Sequence, residues 1–171
     1  ALAADLEAHG GRIVLDRGVT DLDELDEYDA CVLDVGVPAF LDLTGERLPA
    51  KYARALRRYR HGRGVSKVDF ALAGPVPWAD ARLGEAPTVH LGGTRAEIAL
   101  AERQVARGWV PERPYVLAVQ PSVVDSTRAP EGKATFWAYL HVPYDSNLDA
   151  TDLVTRAVEE YAPGFSDLVL A

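Results

Sequence analysis

Between Thr135 and Pro143 the chain reads Thr-Phe-Trp-Ala-Tyr-Leu-His-Val-Pro. Aromatic and β-branched residues dominate and their character alternates, which specifies a strand. Successive side chains of a strand point to opposite faces. Phe136, Ala138, Leu140 and Val142 then form a plain apolar face, while Thr135, Trp137, Tyr139 and His141 form a face of large flat groups with polar tips. Pro143 cannot donate to a ladder and ends the strand. The apolar face requires a core. The second face requires a cover, and two are open: a helix of the same domain bonded to the polar tips, or a binding surface shared with a part of the protein outside this sequence.

With 171 residues, 48% of them apolar, the chain makes one domain, or one and a piece, with a sizeable core. A net charge of −8 argues against binding a nucleic-acid backbone, which needs a basic patch. The densest basic run, Arg54 to Arg60, falls on a predicted helix and reads as its solvated face. No apolar run approaches the ~18 residues that suggest a membrane span. The one cysteine, Cys31, sits in the apolar run Ala30-Cys-Val-Leu33 and is expected to be a buried thiol, with no disulfide framework and no cysteine metal site. The expected setting is the reducing cytoplasm, at most peripheral to a membrane. There is no methionine, and the first residues already have helical spacing, so an internal piece of a longer protein is expected.

Ala1 to His9 is predicted helical, stopped by Gly10-Gly11. Arg12 to Leu15, a segment starting at Val19, and Tyr28 to Val35 read as strands, the last broken by Gly36-Val37-Pro38. Leu48 to Arg60 reads as a helix with Tyr52, Leu56 and Tyr59 on one stripe. Strands follow at Val65–Leu72, Pro87–Leu91 and Pro114–Gln120. Between the last two, Thr94 and Glu97 form a capping box for a helix running to about Arg107. Asp149 is expected to cap a final helix that Pro163-Gly164 closes. The predicted architecture is α+β with an α/β-like N-terminal strip: a largely antiparallel or mixed sheet of four to six strands, helices mainly on one face. If the apolar faces all meet the helices, Lys67, Asp69, His90, Gln120, Trp137, Tyr139 and His141 share the other.

The chemistry-bearing motifs have plain alternatives. Gly92-Gly93 before the capped helix could hold a phosphate, or serve as a turn that needs glycine. No Gly-x-Gly-x-x-Gly and no Walker loop is present, so nothing here grips a pyrophosphate unaided. His90 and His141 lack metal-ligand spacing and read as hydrogen-bonded structural histidines. Ser122 and Ser126 lie in no nucleophile elbow. Asp125-Ser-Thr-Arg128 is either a carboxylate–guanidinium clamp or a loop held by its own side chains. Trp137 and Tyr139 could bracket a flat or long apolar ligand, or pack in a core. Lys67 and Asp69 could be catalytic or simply ion-paired.

Several phrases in order carry a resemblance: Lys67-Val-Asp-Phe-Ala-Leu72, Gly74-Pro-Val-Pro-Trp78, Thr88-Val-His-Leu-Gly-Gly93-Thr with Glu97-Ile, Arg113-Pro-Tyr-Val-Leu117, Gln120-Pro-Ser, Asp125-Ser-Thr-Arg-Ala-Pro130 with Gly132, Trp137-Ala-Tyr-Leu-His-Val-Pro143, and Ala162-Pro-Gly-Phe165. Together they resemble the middle of phytoene-dehydrogenase-like flavoproteins, the carotenoid desaturase and retinol saturase group of FAD-dependent oxidoreductases. The resemblance implies that residues 1–45 are a strip of an FAD-binding domain and 46–171 most of a substrate-binding domain. It implies that a backbone group at Val19 meets the adenine edge of FAD, and that the strand into Val37-Pro38 exits toward the substrate domain. It also implies a sheet face that roofs the flavin, with Lys67, His90, Gln120, Trp137, Tyr139 and His141 toward an apolar small-molecule substrate. The partners implied are the FAD-binding segments of the same protein missing from this sequence; alone, the chain is expected neither to retain FAD nor to turn over. Its uncovered surface would also allow self-association as a homodimer. No catalytic acid or base transfers from the resemblance. The alternative from the residues alone is a free-standing small-molecule binding or protein-interaction module.

Overall fold

The computed structural model describes residues 1–171, which divide into two compact units, Ala1–Arg60 and His61–Ala171. The sequence reading placed the change after residue 45; the structure keeps the next helix with the first unit, where it touches the one before.

The first unit holds helices α1 (Leu2–Ala8), α2 (Val37–Thr44) and α3 (Ala50–Leu56). Its expected strands do not form: Arg12–Leu15, the segment at Val19 and Tyr28–Val35 pair with no strand, and Tyr28 instead bonds back to Leu25. A strand gains its stability from neighbours, and these runs find none in this chain. Cys31 is exposed rather than buried, and Val32 beside it is 98% exposed. Gly36-Val37-Pro38 starts a helix instead of only ending a strand. Pro38 lies in the first turn of α2, where its missing N–H costs nothing and its fixed φ suits the helix. The helix expected over 48–60 is shorter, and Tyr52 and Tyr59 face solvent while Ala53 is buried. Thr44 and Ala53 are the only buried side chains of this unit.

The second unit is an α+β fold. Its strands β1 (Gly64–Leu72), β2 (Thr88–Leu91), β3 (Val116–Val119) and β4 (Ala134–Val142) form one antiparallel sheet in the order β1-β4-β3-β2. β4 is central, pairing along its whole length with β1, from Gly64 opposite Val142 to Leu72 opposite Ala134. Helix α4 (Arg95–Ala106) joins β2 to β3 and starts with the expected capping box. Helices α5 (Thr151–Glu159) and α6 (Phe165–Leu168) follow β4. Val154, Val158, Ala162 and Phe165 pack on Phe70, Leu72, Val116, Ala118, Phe136, Ala138, Leu140 and Val142, one continuous core. Phe165 stands edge-on to Phe70 and Phe136, at 5.3 and 5.2 Å between centroids. Residues 168–171 close the outer edge of β1, through hydrogen bonds between Ala71 and both Leu170 and Ala171 and between Ala73 and Leu168.

Gln120 departs from the expected face. Gln120 follows Val116 and Ala118 in the alternation of β3 and is buried on the core side. Its Oε1 accepts from the Trp78 indole N–H at 2.9 Å, and its Nε2 donates to the carbonyls of Leu83 and Ala86. It thereby pins the turn after Trp78 to the sheet, and all of its bonding is used inside the fold.

Surface carboxylates, exposed or half-buried, hold the connections. Asp80 accepts from Arg82, which draws its carboxyl down from the usual 3.8 to about 2. Asp125 lies low through Thr127 and Arg128, so the Asp125–Arg128 loop is held by its own side chains. Asp149 lies low through Thr151, and Glu97 through Thr94. Glu159 accepts from the N–H groups of Ser166 and Gly164, stitching α5 to α6.

Phe165→Ala should lower unfolding free energy by about 3–5 kcal/mol, measured by urea titration. The unfolded chain takes up protons on these carboxylates more readily than the folded one. The stability they contribute is therefore full above their ordinary range of 3.8 to 4.5 and is lost as pH falls below it, down to about 2 for Asp80. A melting temperature recorded from pH 5 downward should fall, and Asp80→Asn should flatten the lowest part of that curve.

Candidate functional site: the open face of the sheet

Alternation along the strands that build the core leaves a second face in rows. One row holds His90, Leu117, Tyr139 and Lys67; the next holds Thr88, Val119, Trp137 and Asp69. Leu117, Val119, Trp137 and Tyr139 are half-buried, and His90, Lys67 and Asp69 are exposed. The Trp137 and Tyr139 rings are near-parallel, 13° apart in plane with centroids at 6.3 Å. Lys67 sits over Trp137 at 5.1 Å and pairs with Asp69, so their charges are satisfied along the β1 side of the shelf. On the opposite side His90 bonds the Tyr115 hydroxyl.

α4 closes one end of this face. Ala101 and Val105 are buried but lie outside the core cluster, and Ile98 lies beside Gly92 and Tyr115. Glu102, on the same stripe, accepts from His141 Nδ1 at 2.9 Å and from Arg63 at 2.6 Å. Both carboxylate oxygens are used, one for each partner. An ionised carboxylate only accepts, so the imidazole turns a protonated Nδ1 toward Glu102. No protein group bonds Nε2, and no half-buried or buried side-chain polar atom in the fold is sealed without a partner, so Nε2 is open to solvent. His141 therefore stands at the corner between the α4 wall and the aromatic floor.

Of the residues singled out from the sequence, Lys67, His90, Trp137, Tyr139 and His141 share this face; Gln120 does not. Val19, Val37 and Pro38 lie in the first unit. Val19 is half-buried in an irregular segment and its backbone N–H and C=O make no bond within the chain; Val37 is half-buried and Pro38 exposed at the start of α2. Arg63, Glu102, Tyr115, Leu117 and Val119 belong to the site but were not anticipated. Glu102 carried a readable signal: it interrupts the apolar stripe Ile98, Ala101, Val105 with an acid.

Two cavities lie elsewhere. One, about 220 Å³, is spanned by the Arg113–Glu160 ion pair beside Gly92, Leu153 and Ala157. The other, about 340 Å³, lies among Pro75, Val76, Val123, Lys133 and Thr135. No group of His, Cys, Asp and Glu is placed to hold a metal ion, and no helix is long and apolar enough to cross a membrane. No protein-family model matches the chain, and no curated protein matches it.

Glu102→Gln removes the charge that both His141 and Arg63 use. It should cost about 1.5–3 kcal/mol in urea unfolding and speed amide exchange along α4 before that of β4.

Proposed function

We propose that this chain supplies the substrate domain, with part of the flavin domain, of an FAD-dependent oxidoreductase of the phytoene-dehydrogenase-like kind, acting on carbon–carbon bonds of an apolar substrate. The observation that carries the reading is the open face itself. A shelf of Leu117, Val119, Trp137 and Tyr139 is left half-exposed while the opposite face of the same sheet is sealed. Apolar and aromatic area of that kind at a sheet surface marks a place where something else sits. The ordered phrases of the sequence that resemble this family include most of the residues of that shelf.

The first unit supports the same reading. Its apolar side chains, Leu2, Leu15 and Val32 among them, find no core of their own. The unbonded backbone groups at Val19 suit an edge-on contact with a purine, whereas the chain offers no glycine loop for the phosphates. The residues present thus fit a partial share of an FAD site, at its adenine edge and as a roof. The flavin, when bound, supplies the hydride chemistry. This chain's part is to hold a flat apolar molecule against Trp137 and Tyr139 and to keep water from it.

The test uses the complete polypeptide that contains this sequence. It should purify yellow with a flavin absorption spectrum, and Trp137→Ala should raise KM for the substrate with the flavin spectrum unchanged. A colourless preparation that takes up no added FAD overturns the proposal and leaves a free-standing binding module in its place.

A further inference from the structure

The cavity of about 340 Å³ lies where β4 begins. Four stretches of the second unit wall it: the turn after β1 with Val76, the segment before β2 with Gly84, the loop after β3 with Ser122, and the start of β4 with Thr135. None of Trp137, Tyr139 and His141 lines it, so it is separate from the shelf. The polar side chains within its walls are already bonded. Gln120 uses its amide on Trp78 and on the carbonyls of Leu83 and Ala86. The Ser122 hydroxyl meets Thr135 Oγ1 at 3.1 Å and accepts from the Thr135 N–H at 3.0 Å. At Gly84 a Cβ would meet nothing within 4 Å, so that wall borders open space. Such an interior suits an apolar body. The rim differs. Lys133 is the one charged residue of the lining; it is exposed, and neither Glu131 two residues before it nor any other group of the fold pairs with its ammonium.

We infer that this cavity is a ligand site in its own right, for a small molecule with an apolar body and one carboxylate that pairs with Lys133. If each heavy atom takes the ~30 Å³ that a water occupies in the liquid, the space holds about eleven of them, the size of a medium-chain fatty acid. A lone ammonium is a point charge, and no second cation stands beside it in the lining. It therefore matches a single carboxylate rather than a phosphate, whose further charge would go unpaired. The apolar body, seated below, removes water from one side of the ion pair and strengthens it relative to a pair in open solvent. The site uses no flavin and no residue of the shelf, so it stands or falls apart from the oxidoreductase reading.

The experiment uses the full chain and two probes, octanoate and octanamide, which share length and shape and differ in charge. Binding is followed by calorimetry and by the methyl resonances of Val76 and Val123 and the indole resonance of Trp137. Octanoate should bind about fivefold more tightly than octanamide, and added salt should narrow the margin. Both probes should move the two valines and leave Trp137 in place. Lys133→Gln removes the charge at an exposed position, so it should abolish the preference and leave the affinity for octanamide unchanged. Equal affinity of the two probes for the unaltered chain overturns the inference, as does the failure of either to bind at millimolar concentration, and these comparisons need no variant to fold. A preference that survives Lys133→Gln overturns it as well. So does movement of Trp137 in place of Val76 and Val123, which seats the apolar body on the shelf instead.

Discussion

The pairing of β4 on both edges is the constraint from which the rest of the second unit follows. Held by β1 on one side and β3 on the other, β4 cannot slip by one residue without exchanging its two faces. A slip would turn Trp137, Tyr139 and His141 into the space filled by α5 and α6, and expose Phe136, Leu140 and Val142. The Phe70–Phe136–Phe165 cluster makes that exchange costly, because three interlocked rings would lose their contacts at once. The register that builds the core is therefore the same register that presents the shelf. Core and site are two sides of one alternation.

Polar groups inside this unit are placed with the same economy. Gln120 and Trp78 could each be a liability, since an unbonded amide or indole N–H in the core costs more than the bond contributes. Their direct bond, with the carbonyls of Leu83 and Ala86 as further acceptors, turns both into fasteners for the turn between β1 and β2. Glu102 does similar service at the other face. It is an acid on an apolar stripe, and it is tolerated because two cationic or donor groups converge on it.

What could be read from the sequence divides along these lines. Where a segment's own periodicity decides its structure, the reading holds: β1 and β4 by alternation, α4 by its capping box, α5 by its stripe. Where structure depends on a neighbour, the reading fails. Tyr28–Val35 has the composition of a buried strand but pairs with nothing, so Cys31 and Val32 stay exposed. Gln120 shares the alternation of Val116 and Ala118, which face the core, but β3 is apolar at all four of its positions, so its sequence does not say which face turns inward. The aromatic members of the site were legible because they alternate with core residues. Glu102 stood out only as an acid on an apolar stripe; its meeting with Arg63 and His141 was not legible, because it joins residues far apart in the chain.

A glycine stands where β2 gives way to the approach to α4. At Gly92 a Cβ would come within 2.7 Å of the Tyr115 ring and 2.9 Å of Ile98, closer than such contacts allow. Only glycine lets the Tyr115 ring lie across the end of β2 while α4 settles on it. A side chain there would push α4 outward, lengthening the reach from Glu102 to His141 and loosening the lock on the imidazole. With glycine, α4 stops where Glu102 meets His141, and the rows of Tyr139 and Trp137 stay uncovered beyond it. The close approach of Ile98 and Tyr115 at this corner thus depends on a residue whose contribution is the side chain it lacks.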